Sequence, residues 1–116
     1  MLGDDLRNAM KSMEEINRRK NNPAGYALER LNALIRSFQE KIAEDVEVGI
    51  SVVGSGSAAS FRLRSVEVSN PDILIFNGVD DNGNIVQLLQ HYSQMAVMLV
   101  VVPKLNDKPF RIGFTT

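Results

Sequence analysis

The sequence predicts an α+β domain in which two N-terminal helices precede a largely antiparallel sheet of about six strands, with one helix packed on the sheet. Apolar residues recur with helical spacing as far as Ile42. Beyond Asp45 they alternate with a period of two, and short turn motifs separate the later segments. The chain of 116 residues has the size of one domain. We expect residues 1–20 to form a helical arm and residues 21–116 to form a single domain.

The first helix is predicted over residues 4–20. Acidic residues stand at its start and basic residues at its end, an order that complements the helix dipole. Its apolar residues form one narrow stripe: Leu6, Met10, Met13 and Ile16. Three outcomes are compatible with this stripe, because the helix can pack on the domain edge, contact a second subunit, or fray as an arm.

The second helix is predicted to begin at Asn22 and Pro23. Asn22 suits the N-cap, and Pro23 suits the first helical position, where its missing N–H costs nothing. A wide apolar stripe follows, made by Ala27, Leu31, Leu34, Ile35, Phe38 and Ile42. A stripe of this width is typical of a helix that lies across a sheet.

The next segments read as strands. Apolar Val48, Ile50 and Val52 alternate with Glu47, Gly49 and Ser51, which predicts a strand with one covered face. The segment Gly54–Ala59 reads as a flexible connection. The next alternation slips by one residue between Leu63 and Val66, so a β-bulge near Arg64 and Ser65 is predicted to keep the apolar side chains on one face.

The last third of the chain reads as further strands. A turn at residues 70–72 precedes a strand at residues 73–76, and the Asn82-Gly83 pair predicts a type I′ hairpin. Residues 85–96 fit either one helical face or strands. We favour a strand from about 85 to 91, a break near Ser93 and a strand to Val102, followed by a terminal strand at residues 110–114. Six paired strands leave two sheet edges that need cover, which the first helix or a neighbouring subunit could provide, and we therefore expect homo-oligomerisation.

Composition excludes several classes of protein. The net charge of −1 gives no general attraction for a nucleic acid polymer or an anionic membrane, and no apolar run approaches the length of a membrane span. The N-terminus lacks the apolar core of a signal peptide. Cysteine is absent, which agrees with a reducing compartment. We therefore expect a cytoplasmic protein, and nothing in the sequence predicts a metal or another cofactor.

The candidate ligand-binding residues cluster just before the apolar segment that begins at Met95. They are uncharged hydrogen-bonding side chains that need partners when buried: Gln87, Gln90, His91, Ser93 and Gln94. Amides present both donors and acceptors, as recognition of a polar ligand requires. The alternative is that the glutamines face solvent on an amphipathic helix.

Two further features bear on this site. Arg62 and Arg64 share one strand face and could hold a phosphate, with Arg111 as a third candidate, although we favour an ordinary solvated face as the explanation of the pair. The only histidine, His91, can bind a ligand, serve as a structural residue, or act in catalysis. In a straight strand Ser93 lies about 7 Å from it between Cα atoms, too far for a hydrogen bond without a bend.

Residues 22–114 resemble a family of small uncharacterised bacterial proteins known as a domain of unknown function. The resemblance rests mainly on the Gln-Leu-Leu-Gln-His-Tyr-Ser-Gln series at residues 87–94. Shorter matches support it: Asn22-Pro23-Ala24, Glu29-Arg30-Leu31, Val48-Gly49, Asn70-Pro71-Asp72, Phe76-Asn77-Gly78, Val102-Pro103-Lys104 and Arg111-Ile112-Gly113-Phe114. The chain departs from the pattern at Phe110, where the family has a basic residue. The resemblance implies one compact domain and no established activity.

These observations together predict a non-enzymatic, homo-oligomeric protein that binds a small polar, nucleotide-like ligand. Sequestration of a signalling nucleotide is one role such a protein could have. The alternative is a protein-interaction module or inhibitor that acts through a sheet edge or the N-terminal helix.

Overall fold

The computed structural model describes residues 2–53 and 60–114. Two helices, α1 (Leu2–Asn21) and α2 (Pro23–Lys41), precede five strands: β1 (Val46–Val52), β2 (Ser60–Ser69), β3 (Ile73–Val79), β4 (Ile85–His91) and β5 (Val97–Pro103). The sheet is antiparallel throughout, in the order β4-β3-β2-β1-β5. The predicted α+β class is confirmed. The flexible connection expected at residues 54–59 lies outside the described residues.

Helix α2 lies across one face of the sheet, as its wide apolar stripe predicts. The side chain of Asn22 accepts a hydrogen bond from the Gly25 amide at 3.1 Å, and Pro23 occupies the first helical position. Leu31 and Ile35 then point into a core that includes Val48 and Ile50 of β1. The other buried core residues come from the start of α2, from β2 and β3, and from the C-terminal segment: Ala24, Phe61, Leu63, Leu74, Phe76 and Ile112.

Strand β2 contains the predicted β-bulge. Leu63 pairs with Gly78, whereas Ser65 pairs with Asn77, so Arg64 is the extra residue in the ladder. Phe61 and Leu63 before the bulge and Val66 and Val68 after it all belong to the hydrophobic cluster under α2. The bulge therefore restores the inward orientation that the slip in the sequence would otherwise reverse.

Residues 85–103 form strands with a break, as predicted. Strand β4 ends at His91, a single 3-10 turn covers Tyr92–Gln94, and β5 begins at Val97. The helical interpretation of residues 85–96 is wrong, because β4 pairs with β3 along its full length. The hydrogen bonds and side-chain pairs between β3 and β4 stabilise the strand more than the helical spacing of apolar residues in this segment favours a helix.

The prediction of a sixth strand at residues 110–114 is wrong. This segment joins no ladder among the described residues, and the sheet has five strands. Its backbone is hydrogen-bonded by side chains instead: Gln39 bonds to Ile112, and Glu47 accepts from the Phe110 amide. Because buried backbone groups need partners but not a particular kind of partner, a segment of strand-like sequence can satisfy them without pairing.

The hairpin between β3 and β4 differs in type from the prediction. Gly83 has a φ of 81°, and no described residue other than glycine has a positive φ. The Gly83 amide donates to the Asp80 carbonyl at 3.0 Å. A type I′ turn needs positive φ at both central residues, so this loop is instead a type I turn followed by a left-handed glycine. The Asp80 carboxylate stabilises it by accepting from the amides of Asn82 and Asn84.

Neither helix in the described part of the chain is long and apolar enough to cross a membrane. The molecule is elongated, with principal extents of 58 × 30 × 20 Å.

Candidate functional site

The predicted glutamine residues lie on both faces of β4. Gln90 pairs across the ladder with Leu74, on the face that α2 covers, and its Oε1 is buried without a hydrogen-bond partner among the described residues. Gln87 lies on the other face, where its amide donates to Asn77 Oδ1 at 2.8 Å. Gln94 lies in the exposed 3-10 turn. Since side chains alternate along a strand, these amides do not meet around one ligand-sized space.

The His91 imidazole caps the 3-10 turn. Its Nδ1 lies 2.7 Å from Ser93 Oγ and accepts the Ser93 backbone amide at 3.2 Å. The bend at Tyr92 brings the serine within reach, which a straight strand would have prevented. Nε2 lies 3.8 Å from Asp72 Oδ2, which is too long for a hydrogen bond. The geometry thus gives His91 a structural role in ending β4.

Arg62 and Arg64 surround a buried carboxylate on the sheet face opposite α2. Glu47 is 1% exposed, and its Oε1 lies 3.2 Å from Arg64 Nη1 and 3.7 Å from Arg62 Nε. Arg62 also donates to the Pro103 carbonyl and to Asp81. The guanidinium of Arg64 lies over the Phe110 ring, 4.3 Å from its centroid. Both arginines are therefore engaged within the fold.

The burial of Glu47 corrects the expectation that β1 has one covered face. Every residue from Glu47 to Ser51 is buried. The C-terminal segment supplies part of this cover, because the Phe110 amide donates to Glu47 Oε2 at 2.7 Å. A carboxylate in such a place is stable only when it is paired and hydrogen-bonded, and the two arginines and this amide meet that need.

Arg111 binds backbone carbonyls at the connection between α2 and β1. Its Nη1 donates to Val46 at 2.6 Å, and its Nη2 donates to Ala43 at 3.0 Å and to Glu44 at 3.2 Å. Carbonyls near the end of a helix have no intrahelical partner, and an arginine satisfies several of them at once. Arg111, the third candidate arginine, therefore connects the C-terminal segment to the α2–β1 loop by hydrogen bonds.

A cleft at the junction of α1, α2 and the 3-10 turn brings aromatic, cationic and apolar side chains together. The turn at residues 70–72 positions its walls, since the Pro71 carbonyl accepts from the Ala24 amide and the Asp72 carbonyl accepts from the Tyr92 amide, both at 2.9 Å. The start of α2 and the 3-10 turn are thereby tied to the same point. Tyr26 and Tyr92, the only two tyrosines of the chain, consequently line one cleft of about 450 Å³.

Two arginines complete this cleft. Arg19 at the end of α1 lies over the Tyr26 ring, 4.7 Å from its centroid. Arg30 is exposed one helical turn beyond Tyr26, and no described residue forms an ion pair with it. The remaining lining is apolar: Pro23, Ala27, Leu31, Leu34 and Met95. An apolar cleft of a few hundred cubic ångströms with a few polar groups is the usual form of a small-molecule site.

The sequence reasoning missed the cleft residues Arg19, Tyr26, Arg30 and Tyr92. A signal for two of them was present, because Tyr26 and Arg30 are four residues apart and so share one side of α2. No sequence pattern places Tyr92, more than 60 positions later, beside them. An apolar groove of about 440 Å³ continues from the cleft between α2 and β5 and shares Leu31, Leu34 and Met95 with it.

The fold defines this protein as a two-layer α+β domain with one helix on a five-stranded antiparallel sheet. Residues 15–115 match the model of a family described as "Family of unknown function (DUF6173)", and the chain belongs to this family. No curated protein and no solved structure matches the chain.

Proposed function

We propose that this chain is a non-enzymatic binding protein for a small aromatic anion, nucleotide-like in chemistry, and that the cleft of Arg19, Tyr26, Arg30 and Tyr92 is its binding site. One observation carries the proposal: both tyrosines of the chain and two arginines line the same cleft of about 450 Å³. Tyrosine rings provide flat surfaces against which an aromatic ring stacks, and guanidinium groups bind phosphate or carboxylate oxygens.

The charges near the cleft support an anionic ligand. The nearby carboxylate of Glu29 is paired with Arg18, whose pKa it raises above the ordinary value, so Arg18 offsets this negative charge. Glu15 lies 3.9 Å from Arg19 Nε, a long contact that leaves the two terminal guanidinium nitrogens available. The cleft therefore offers two cationic groups at the rim of an apolar floor. A cytoplasmic location, suggested by the absence of cysteine, is part of this proposal.

Isothermal titration with the four nucleoside monophosphates tests the proposal. We expect at least one of them to bind, and we expect both of its halves, the nucleoside and ribose 5-phosphate, to bind more weakly. Arg30→Gln and Tyr92→Ala should each weaken binding about tenfold or more, since a charge-assisted hydrogen bond or a stacked ring contributes about 1–3 kcal/mol. Arg36→Gln is the matched control, because Arg36 lies on α2 over Phe114 and outside the cleft.

The same titration separates this site from the one predicted at the glutamine series. If the cleft binds the ligand, Gln87→Ala and Gln90→Ala leave the affinity within about twofold, as expected for side chains that do not line it. A loss of binding in those two variants with no effect of Arg30→Gln would favour the glutamine series. An absence of heat with every nucleotide would refute the proposed ligand class.

A second candidate function is protein interaction through α1, favoured by the exposed apolar stripe of this helix. The two candidates depend on different residues. Leu6→Lys, whose side chain is remote from the cleft, should disrupt an assembly made by α1 and retain nucleotide binding. Interaction with a partner protein through a sheet edge stays a prediction.

A further inference from the structure

The apolar stripe of α1 is exposed along the whole helix. Leu6, Met10, Met13 and Ile16 have exposed fractions between 55% and 63%. These are long, flexible or branched apolar side chains, and a contiguous row of them on a helix surface usually marks an interaction site.

Helix α1 is held to the rest of the described chain near its C-terminal end. Arg18 pairs with Glu29, and Arg19 lies over Tyr26. The first three turns extend away from these contacts along a helix about 30 Å long, at a rise of 1.5 Å for each of its 20 residues. A helix of this length has marginal stability by itself in water, so packing of its apolar face is the natural source of its stability.

Three residues of the stripe, together with Ala9, have the spacing of a two-helix seam. Leu6, Ala9, Met13 and Ile16 follow one another at intervals of three, four and three residues, which is the a and d pattern of a coiled coil. The polar side of α1 carries both signs of charge, with four acidic and five basic residues. This balance disfavours an anionic membrane surface as the partner, because such helices are usually strongly basic.

The charges beside the seam are complementary to those of a second, antiparallel copy. When Leu6 packs beside Ile16 of the second copy, Asp5 lies beside Arg19 of that copy on one flank. On the other flank, Met10 lies beside Met10 of the second copy. A parallel, in-register pair would instead bring like charges together at both ends of the helix, which carries Asp4 and Asp5 at its start and Arg18, Arg19 and Lys20 at its end.

We propose that two copies of this chain dimerise by packing α1 antiparallel against α1 of the second copy. This inference goes beyond the proposed ligand site and does not require it, although Arg19 takes part in both. The self-complementary stripe becomes buried, and two cross-helix ion pairs of Asp5 with Arg19, related by a two-fold axis, set the orientation.

Sedimentation of the full chain tests the dimer. We expect twice the monomer mass of 12.9 kDa. Leu6→Lys with Met13→Lys should give a monomer with an unchanged folded core, because both side chains are exposed and away from the core cluster. Leu34→Lys is the matched control: Leu34 is 60% exposed but lies on α2, so this variant should remain dimeric. A monomeric wild-type chain, or a dimer lost only with Leu34→Lys, would overturn the proposal.

A charge exchange tests the orientation. Asp5→Arg and Arg19→Asp should each raise the dimer dissociation constant by about three- to tenfold, since each creates two repulsive pairs of surface strength. The double variant should restore the wild-type value, because it rebuilds both pairs with the charges reversed. Failure of the double variant to restore dimerisation would refute the antiparallel pairing. Circular dichroism of each variant distinguishes loss of pairing from loss of the fold.

Discussion

Gln39 on α2 and Ile112 in the C-terminal segment exchange two hydrogen bonds. The Gln39 side-chain amide donates to the Ile112 carbonyl at 3.1 Å, and the Ile112 amide donates to Gln39 Oε1 at 2.8 Å. This is the pattern that a residue on a neighbouring strand would make. A helix side chain therefore replaces a strand as the partner of the segment, and Ile112 is buried beside the core.

Gln39→Ala should lower the free energy of unfolding by about 1–3 kcal/mol, because it leaves both backbone groups of a buried residue unpaired. Urea denaturation measures the change. Gln94→Ala serves as the control, since Gln94 is exposed and its side chain makes no hydrogen bond among the described residues. Equal effects of the two substitutions would show that the Gln39 pair does not hold the segment.

Glu47→Gln should be strongly destabilising. The substitution keeps an oxygen for the Phe110 amide but removes the negative charge beside Arg62 and Arg64. Breaking a buried ion pair from one side costs about 3–5 kcal/mol, because the remaining charges stay desolvated. Thermal and urea unfolding provide the measurement. Glu67→Gln, on the exposed part of β2, should change stability by less than about 0.5 kcal/mol.

Gly78→Ala should also destabilise the fold. A Cβ at this position would overlap the Arg62 carbonyl oxygen and lie 2.8 Å from Phe61 Cε2. Because one of the obstacles is backbone in the neighbouring strand, we expect a cost of about 1–3 kcal/mol or more. Gly113→Ala is the matched comparison, since a Cβ there meets no atom within 4 Å. A neutral Gly78→Ala variant would contradict the close packing of Phe61 over β3.

Acid should weaken the β3–β4 turn through Asp80. The amides of Asn84 and Asn82 and the Asn84 side chain hold the pKa of the Asp80 carboxyl below its ordinary value of 3.8, with a smaller contribution from Arg62. Since the pKa is lower in the folded state, the stabilisation is present above pH 3.8 and is lost as the pH falls through the folded-state value.

The Asp80→Asn variant isolates this contribution, because asparagine keeps an oxygen acceptor but carries no charge. The stability difference between the wild-type chain and the variant should shrink as the pH is lowered from about 6 to about 2. Asp107→Asn, in the exposed loop after β5, provides a control for a general change in net charge. A stability difference that stays constant with pH would contradict the role of Asp80.

Much of the fold follows from local patterns in the sequence. The wide stripe from Ala27 to Ile42 predicted α2 and its buried face, because the helical period is visible in the order of residues. The bulge at Arg64 was predictable for a similar reason: a shift of one residue in a period of two can be repaired only by an extra residue in the ladder. The break near Ser93 was also predicted. The hairpin before Ile85 and the β-branched run after Met98 favour strands on both sides of it.

The candidate site was less predictable. Gln87 and Gln90 are close in sequence, but they lie on opposite faces of β4 and have different surroundings. The cleft lies instead where the end of α1 with Arg19 and the start of α2 with Tyr26 meet the distant 3-10 turn with Tyr92. Residues that are close in sequence have neighbouring side chains only when their spacing matches the period of the helix or strand that contains them.

The sequence by itself determined the two helices, the strand period, the bulge and the end of β4, since each depends on neighbours within a few positions. Only the tertiary structure decided that Glu47 is buried and that residues 110–114 form no strand, because Arg62, Arg64, Phe110 and Gln39 approach them from segments far away in the chain. The physical reason is that burial and hydrogen-bond pairing are properties of the packed chain. A pattern of alternating residues shows which side chains share a face but not what covers that face.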